Sequence, residues 1–262
     1  MPKNTGHLEG FKANGSEGVT KSPPHFRIWH AVFHRWGFFF RHWRERGIAF
    51  FREAQKSKPG YGWWWLEMTV RLTELAGLFV LYETLAEVVK WNTRPLTGEE
   101  RALVEPIFGK NIRLDLVRVD RWALIGSAQR RFAYVSGHTV NGWRQIAVDV
   151  LVHELVHVWQ YEQMGAVYIP RAWRAQFSLE GYNYGGVERI REYLGNNRTF
   201  LEFNLEQQAE LVMDYFRIRS GRRPQWGNGG PESLDWYEQL LRPYFTLTET
   251  PELPVVITGK KS

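Results

Sequence analysis

Apolar and polar positions alternate along this chain with two different periods. Phe26, Trp29, Phe33, Trp36, Phe40 and Trp43 recur every three or four residues, which places them on one face of a helix. Arg27, Arg35, Arg41, Arg44, Arg46 and Arg52 are interleaved with them, and Lys58-Pro59-Gly60 breaks the run. A second helical stretch is predicted over about residues 63–91. Its apolar side is wide, and it carries Glu67, Arg71, Glu74, Glu83, Glu87 and Lys90. Thr97 is positioned to cap a helix running to about Phe108, with Glu99 and Glu100 in its first turn.

The period then shortens to two. Ile112, Leu114 and Leu116 against Arg113, Asp115 and Val117 read as a strand over 112–119, partly buried on both faces. Phe132 to Val135 reads as a second short strand, closed by Ser136-Gly137. A long helix is predicted from about Trp143 to Met164, stopped by Gly165. Residues 166–200, rich in Pro, Gly, Asn and aromatics, read as a long loop with at most short helices. A further helix is expected from about Leu201 to Arg219, ended by Ser220-Gly221, then a turn over 227–231 and a short helix over 234–241. No internal repeat is visible.

These elements predict an α+β domain over residues 96–245. A helical, basic and aromatic region over 25–95 precedes it, with a disordered leader over 1–24 and a Pro-rich tail over 246–262. With 262 residues, 44% of them hydrophobic, the chain can build a core without covalent staples. It has no cysteine, which excludes disulfides, thiolate metal sites and thiol nucleophiles. The N-terminal residues lack the apolar core of a signal peptide. The longest apolar run, Leu75 to Tyr82, falls far short of the ~18 residues of a membrane span. The net charge of +6 is uneven. Residues 1–60 hold eleven Lys and Arg against four Asp and Glu, a net of +7, so the rest is nearly neutral. The basic signal therefore belongs to the N-terminal region, and nucleic-acid binding is not expected because no recognition motif accompanies it.

The chemistry concentrates in His153-Glu154-Leu155-Val156-His157. Two histidines four apart on a helix project from one face, so both imidazoles can reach one Zn2+. Glu154, one residue round, can serve a water at that ion as general base without becoming a ligand. The helix is apolar on nearly all sides, and buried titratable groups need partners that a metal supplies. A third ligand is offered by Glu206-Gln207-Gln208-Ala209-Glu210, where Ala209 lets two helices approach closely. The favoured arrangement has Glu206 on the metal and Glu210 behind it, hydrogen-bonded to a ligating His. The competing one puts Glu210 on the metal with Asp214 behind. Asp149, four before His153, is a lesser candidate for a supporting carboxylate.

At these motifs the chain resembles the zincin metallopeptidases that use a Glu ligand, the gluzincins. Leu96 to Glu100, Pro106 to Gly109, Val117 to Val119, HELVHVWQ, Gly181 to Tyr184 and EQQAELVMDYF are more narrowly similar to a family of small bacterial metallopeptidase-like proteins. Members of that family often travel with type VI secretion Rhs and Vgr genes. They are similar to the peptidase-like domain of contractile injection systems. The resemblance covers about residues 96–220. It implies a zincin fold, one zinc held by His153, His157 and Glu206, and Glu154 as catalytic residue. It implies no substrate, and the aromatic N-terminal region has no counterpart in it.

A peptidase also needs a donor for the oxyanion. Tyr182, Tyr184 and His138 are the candidates. Residues 130–136 read as an edge strand to which a peptide substrate could add. The aromatic stripe of residues 25–58 has three readings: core packed against the rest of the chain, a docking surface for a secretion-system partner, or a peripheral membrane contact. His30 and His34 are also four apart, but no carboxylate sits beside them. The expected activity is zinc-dependent peptide hydrolysis in a bacterial cytoplasm, or after export by a contractile secretion system. The rival is a non-catalytic zinc-containing component of such a system.

Overall fold

The computed structural model describes residues 24–56, 62–90, 92–123 and 133–248. The expected leader, most of the tail, the Lys58-Pro59-Gly60 break, Trp91 and residues 130–132 of the expected edge strand lie outside them. The fold is α+β. Three helices come first: α1 (Pro24–Lys56), α2 (Gly62–Leu75) and α3 (Leu78–Val89). The single stretch expected over 63–91 is divided at Gly77, whose φ of 75° lies in the left-handed region that ends one helix before the next begins. Next come β1 (Thr93–Arg94) and α4 (Gly98–Phe108). Thr97 caps α4 as expected, in a reciprocal capping box with Glu100.

The sheet is small and mixed. Besides β1 it holds β2 (Arg118–Asp120), β3 (Tyr134–Ser136) and β4 (Thr139–Asn141), in the order β1-β2-β4-β3. β2 and β4 are parallel, and both outer pairs are antiparallel. β3 therefore forms an edge. The strand expected over 112–119 is mostly absent. Residues 112–117 turn back on themselves, with Leu116 N donating to Arg113 O at 2.8 Å, and only Arg118 onward joins the sheet. Ile112, Leu114, Leu116 and Val117 are still buried, so their alternation records core packing by an irregular backbone rather than a ladder.

α5 (Val148–Met164) starts later than expected. Trp143 pairs with Trp122 in an extended bridge, and Arg144 has a φ of 66°, which no helix accommodates. The expected loop over 166–200 contains two helices, α6 (Tyr168–Gln176) and α7 (Gly186–Gly195). α8 (Leu205–Arg219) begins at an Asn204 cap that accepts from Gln207 N, and α9 (Leu234–Leu241) closes the described fold. α5 lies at the centre. The sheet packs on one side of it and α8 on the other, and Leu151, Val152, Leu155, Val156 and Val158 are buried completely or nearly so.

The α1–α3 layer packs directly onto this body. Glu74 of α2 accepts from Ala166 N, Glu83 of α3 from His138 N, and Arg171 of α6 pairs with Glu67 of α2. The α1 aromatics divide. Phe38 and Phe39 are inside, whereas Trp29, Phe33, Phe40 and Trp43 remain exposed. The packed-core reading of the stripe therefore does not hold: of its described members only Trp36 is half-buried, and the core contact of α1 is made by Phe38 and Phe39, which lie outside it.

Candidate metal centre

α5 and α8 lie side by side, with Ala209 fully buried between them. Each helix carries its polar residues at the same level of this contact. Glu206 Oε2 lies 3.4 Å from His153 Nε2 and 3.5 Å from His157 Nε2. Ligands bonded at ~2.0–2.1 Å in a tetrahedron stand ~3.3–3.4 Å apart, so this separation suits one small cation between them. Among the described residues this is the group of side chains that could hold a metal ion, and all three members are buried.

The other ring nitrogens are spoken for. His153 Nδ1 meets Glu210 Oε1 at 3.1 Å, and Glu210 Oε2 accepts from Trp226 Nε1 at 2.7 Å. His157 Nδ1 donates to Gln160 Oε1 at 2.8 Å. The Gln160 amide is oriented by its own donations to Leu205 O and Gln208 Oε1, so each imidazole turns Nε2 towards Glu206. Burial works to lower the His153 pKa, but its bonds to Glu206 and Glu210 overcome this and push it up to about 10. Burial works to raise Glu206, yet His157 and His153 hold it at about 2.

Glu154 sits differently. It is buried in the wall of a cavity of about 360 Å3 that His153, His157, Glu206 and Tyr182 also line. Its Oε2 has no hydrogen-bond partner among the described residues, and burial raises its pKa. A buried carboxylate oxygen without a partner is costly, and it suits a group that a water or substrate is meant to meet. Ala133 and, from the β3 edge, Tyr134 and Val135 form another wall.

The remaining sequence expectations divide. Glu210 supports His153 and is not a member of the ligand trio. Asp214 does not stand behind it; it accepts from Tyr184 Oη, Gln225 N and Trp226 N, and so fixes the loop that delivers the Trp226 indole. Asp149 does not reach His153 either. Its carboxylate is held by Arg217 of α8 at 3.0 Å and by Arg222 at 3.3 Å, which offer it full charges away from His153.

Of the oxyanion candidates, Tyr182 lines the cavity with its ring 6.1 Å from that of His153. Tyr184 is turned away, its hydroxyl bonded to Asp214 and Tyr237 in the core. His138 is buried elsewhere, between Glu83 and Glu162, where two carboxylates make a better site for an imidazolium than the cavity does. Sequence reasoning missed Gln160, Trp226 and Tyr168. Gln160 was findable, three residues after His157 on the same face. Tyr168 stacks on His157 at 6.2 Å and donates to Val135 O, a tertiary contact with no local signal.

No family model, no curated protein and no solved structure matches this chain.

Proposed function

We propose that the protein is a zinc-dependent peptidase of zincin type. The observation that carries this reading is a general-base candidate with an unpartnered carboxylate oxygen, Glu154, in the same cavity as a buried His153–His157–Glu206 trio spaced for one cation. His153, His157 and Glu206 would hold the ion. Zinc bound there supplies Lewis acidity towards a carbonyl oxygen and lowers the pKa of a water. Glu154 takes a proton from the attacking water as the new C–O bond forms, then gives it to the departing amine nitrogen as the C–N bond breaks. Burial raises its pKa, which suits a group that must both accept and release a proton. Tyr182 is placed to face the developing oxyanion from the cavity wall. The β3 edge offers backbone groups to an extended peptide.

A purely structural zinc site has no use for Glu154, and its buried, unpartnered oxygen favours the enzyme over a non-catalytic component. The test combines metal analysis with a peptide-library cleavage assay. About one zinc per chain is expected, lost on His153→Ala or His157→Ala. Glu154→Gln should keep the metal and abolish cleavage. Full zinc occupancy in the double histidine variant overturns the site; metal loss on Glu154→Gln overturns the role given to that residue.

A further inference from the structure

The α1–α3 layer is built the reverse way from an ordinary surface layer. Its inner side holds the charges: Arg35, Arg46, Arg71, Glu74 and Glu83 are all buried or nearly so. Most of them are anchored there, with Arg46 Nη1 2.6 Å from Glu74 Oε1 and Glu83 on His138 and Tyr161, and Arg171 of the body holds Glu67. Its outer side is apolar. On α1, Trp29, Phe33, Phe40 and Trp43 are each more than half exposed. On α3, Leu78, Leu81, Leu85 and Val88 form a second exposed stripe at helical spacing. The two stripes adjoin, because Trp36 Nε1 of α1 donates to Thr84 Oγ1 of α3 at 3.1 Å between them. Every exposed described position on α2 and α3 is uncharged. Because the inner charges are tied to the body, the layer cannot simply turn over to hide its apolar face.

We infer that this face lies on an anionic lipid surface. Two observations choose lipid over a protein partner. Among the exposed described side chains of α2 and α3, Thr69, Tyr82 and the indoles of Trp63 and Trp65 alone carry a polar atom, and none is charged, whereas a protein interface needs about one hydrogen bond per 100–200 Å2. A bilayer interface asks for none. Helical spacing puts Arg44 at the border of the α1 aromatic stripe and Arg41 and Arg52 further round the helix, where headgroups would flank an inserted apolar face; all three are exposed and in no ion pair among the described residues. α1 has 33 residues, so it offers a strip about 50 Å long at 1.5 Å per residue. No helix of the described residues is long and apolar enough to cross a membrane, so the layer lies in the interface and does not span it.

The test is sedimentation of the full chain with vesicles of phosphatidylcholine alone and of equal parts phosphatidylcholine and phosphatidylglycerol. Binding is expected to the mixed vesicles and to weaken with added salt. Arg41→Glu with Arg44→Glu should reduce it at least about tenfold. Leu81→Glu with Leu85→Glu, at exposed positions that leave the fold intact by circular dichroism, should reduce it about a hundredfold. A second readout needs no variant: brominated lipid should quench the fluorescence of the exposed Trp29 and Trp43. Binding to neither vesicle, an absence of quenching, or equal binding to both vesicles overturns the inference. So does a stable dimer in solution that Leu81→Glu with Leu85→Glu dissociates. None of these readouts depends on zinc or on hydrolysis.

Discussion

Two regions of this molecule bury charge among helices, and they do so in opposite ways. In the α1–α3 layer each buried acid is answered by protein. Glu83 meets His138, Tyr161 and Arg35, and Glu74 meets Arg46 and Ala166 N. In the α5–α8 contact, Glu154, Glu206 and Glu210 crowd round two histidines, one carboxylate oxygen has no partner, and no Lys or Arg reaches the trio among the described residues. Both regions are polar and buried, so burial of charge by itself does not mark a functional centre. The unanswered atoms of the layer are donors, Arg46 Nη2, Trp64 Nε1 and Arg71 Nε, whereas the mark at the α5–α8 contact is a carboxylate oxygen left unanswered beside two histidines, which an added cation or substrate completes.

The sharpest way to break this contrast is to remove an answer from the layer. Glu83→Leu leaves the His138 imidazole, the Arg35 guanidinium and the Tyr161 hydroxyl without their shared acceptor. It should cost about 3–5 kcal/mol, because one half of a buried pair remains. Thermal unfolding would show this as a midpoint lowered by roughly 10 °C. An unchanged midpoint would mean that the layer is not held by this network.

The metal centre responds on a different scale. Glu206→Ala removes a ligand and should weaken zinc binding most. Glu210→Ala and Gln160→Leu remove only the partners of His153 and His157, and each should cost about 10–100-fold in zinc affinity by competition with a chromophoric chelator. If Glu210→Ala proves the more damaging change, the ligand moves to Glu210.

Acid sharpens the comparison further. Burial tends to raise the pKa of Glu83, but His138 and then Arg35 hold it at about 2, below the ordinary 4.5. A depressed carboxylate stabilises the fold above its unfolded value and loses that contribution as pH falls from 4.5 through about 2. The partner runs the other way. His138 is raised above 6.5 by Glu83 and Glu162 despite burial, so its contribution is complete below 6.5 and lost as pH rises through its folded value. Denaturant titrations across pH should therefore show Glu83→Gln flattening the loss of stability between pH 4.5 and 2.

Two smaller effects close the series. Tyr168→Phe removes the hydrogen bond to Val135 O and should cost about 1 kcal/mol, while freeing a carbonyl on the β3 edge for a bound peptide. Asp149→Asn should leave zinc affinity within about twofold, since that carboxylate serves Arg217 and Arg222 and makes no bond to His153. A larger drop in the same chelator competition would restore Asp149 to the centre.

The readable parts of this chain were those whose meaning lies within one or two turns of a helix. HELVH, the Glu206–Glu210 pair, the Thr97 capping box and the 234–241 helix all belong to that class. The α+β class followed from the same periodicities. Three site assignments failed where a long-range partner outbid the local one: Asp149 for Arg217, Tyr184 for Asp214 and His138 for Glu83. The strand over 112–119 failed because alternation reports burial, and here turns rather than a ladder deliver it. The exposure of the α1 stripe was not readable at all, since one sequence pattern serves a helix buried on that side and a helix that bares it.

The partners that anchor the layer also set an order of assembly. Glu83 and His138 are 55 residues apart, Glu74 and Ala166 are 92, and Glu67 and Arg171 are 104. Contacts of that separation form late, because the intervening chain must first be closed into loops. On the ribosome α1–α3 emerge first and wait for their anchors, the last of which is Arg171. Until Arg171 has been made, the carboxylates of this layer face water on one side and its tryptophans and leucines on the other. In refolding, pulsed hydrogen exchange should find the α5–α8 pair, closed over 48 residues by Gln160 and Gln208, protected before α2, whose anchors lie 92 and 104 residues away, and the interval between the two is when this chain is most exposed to aggregation.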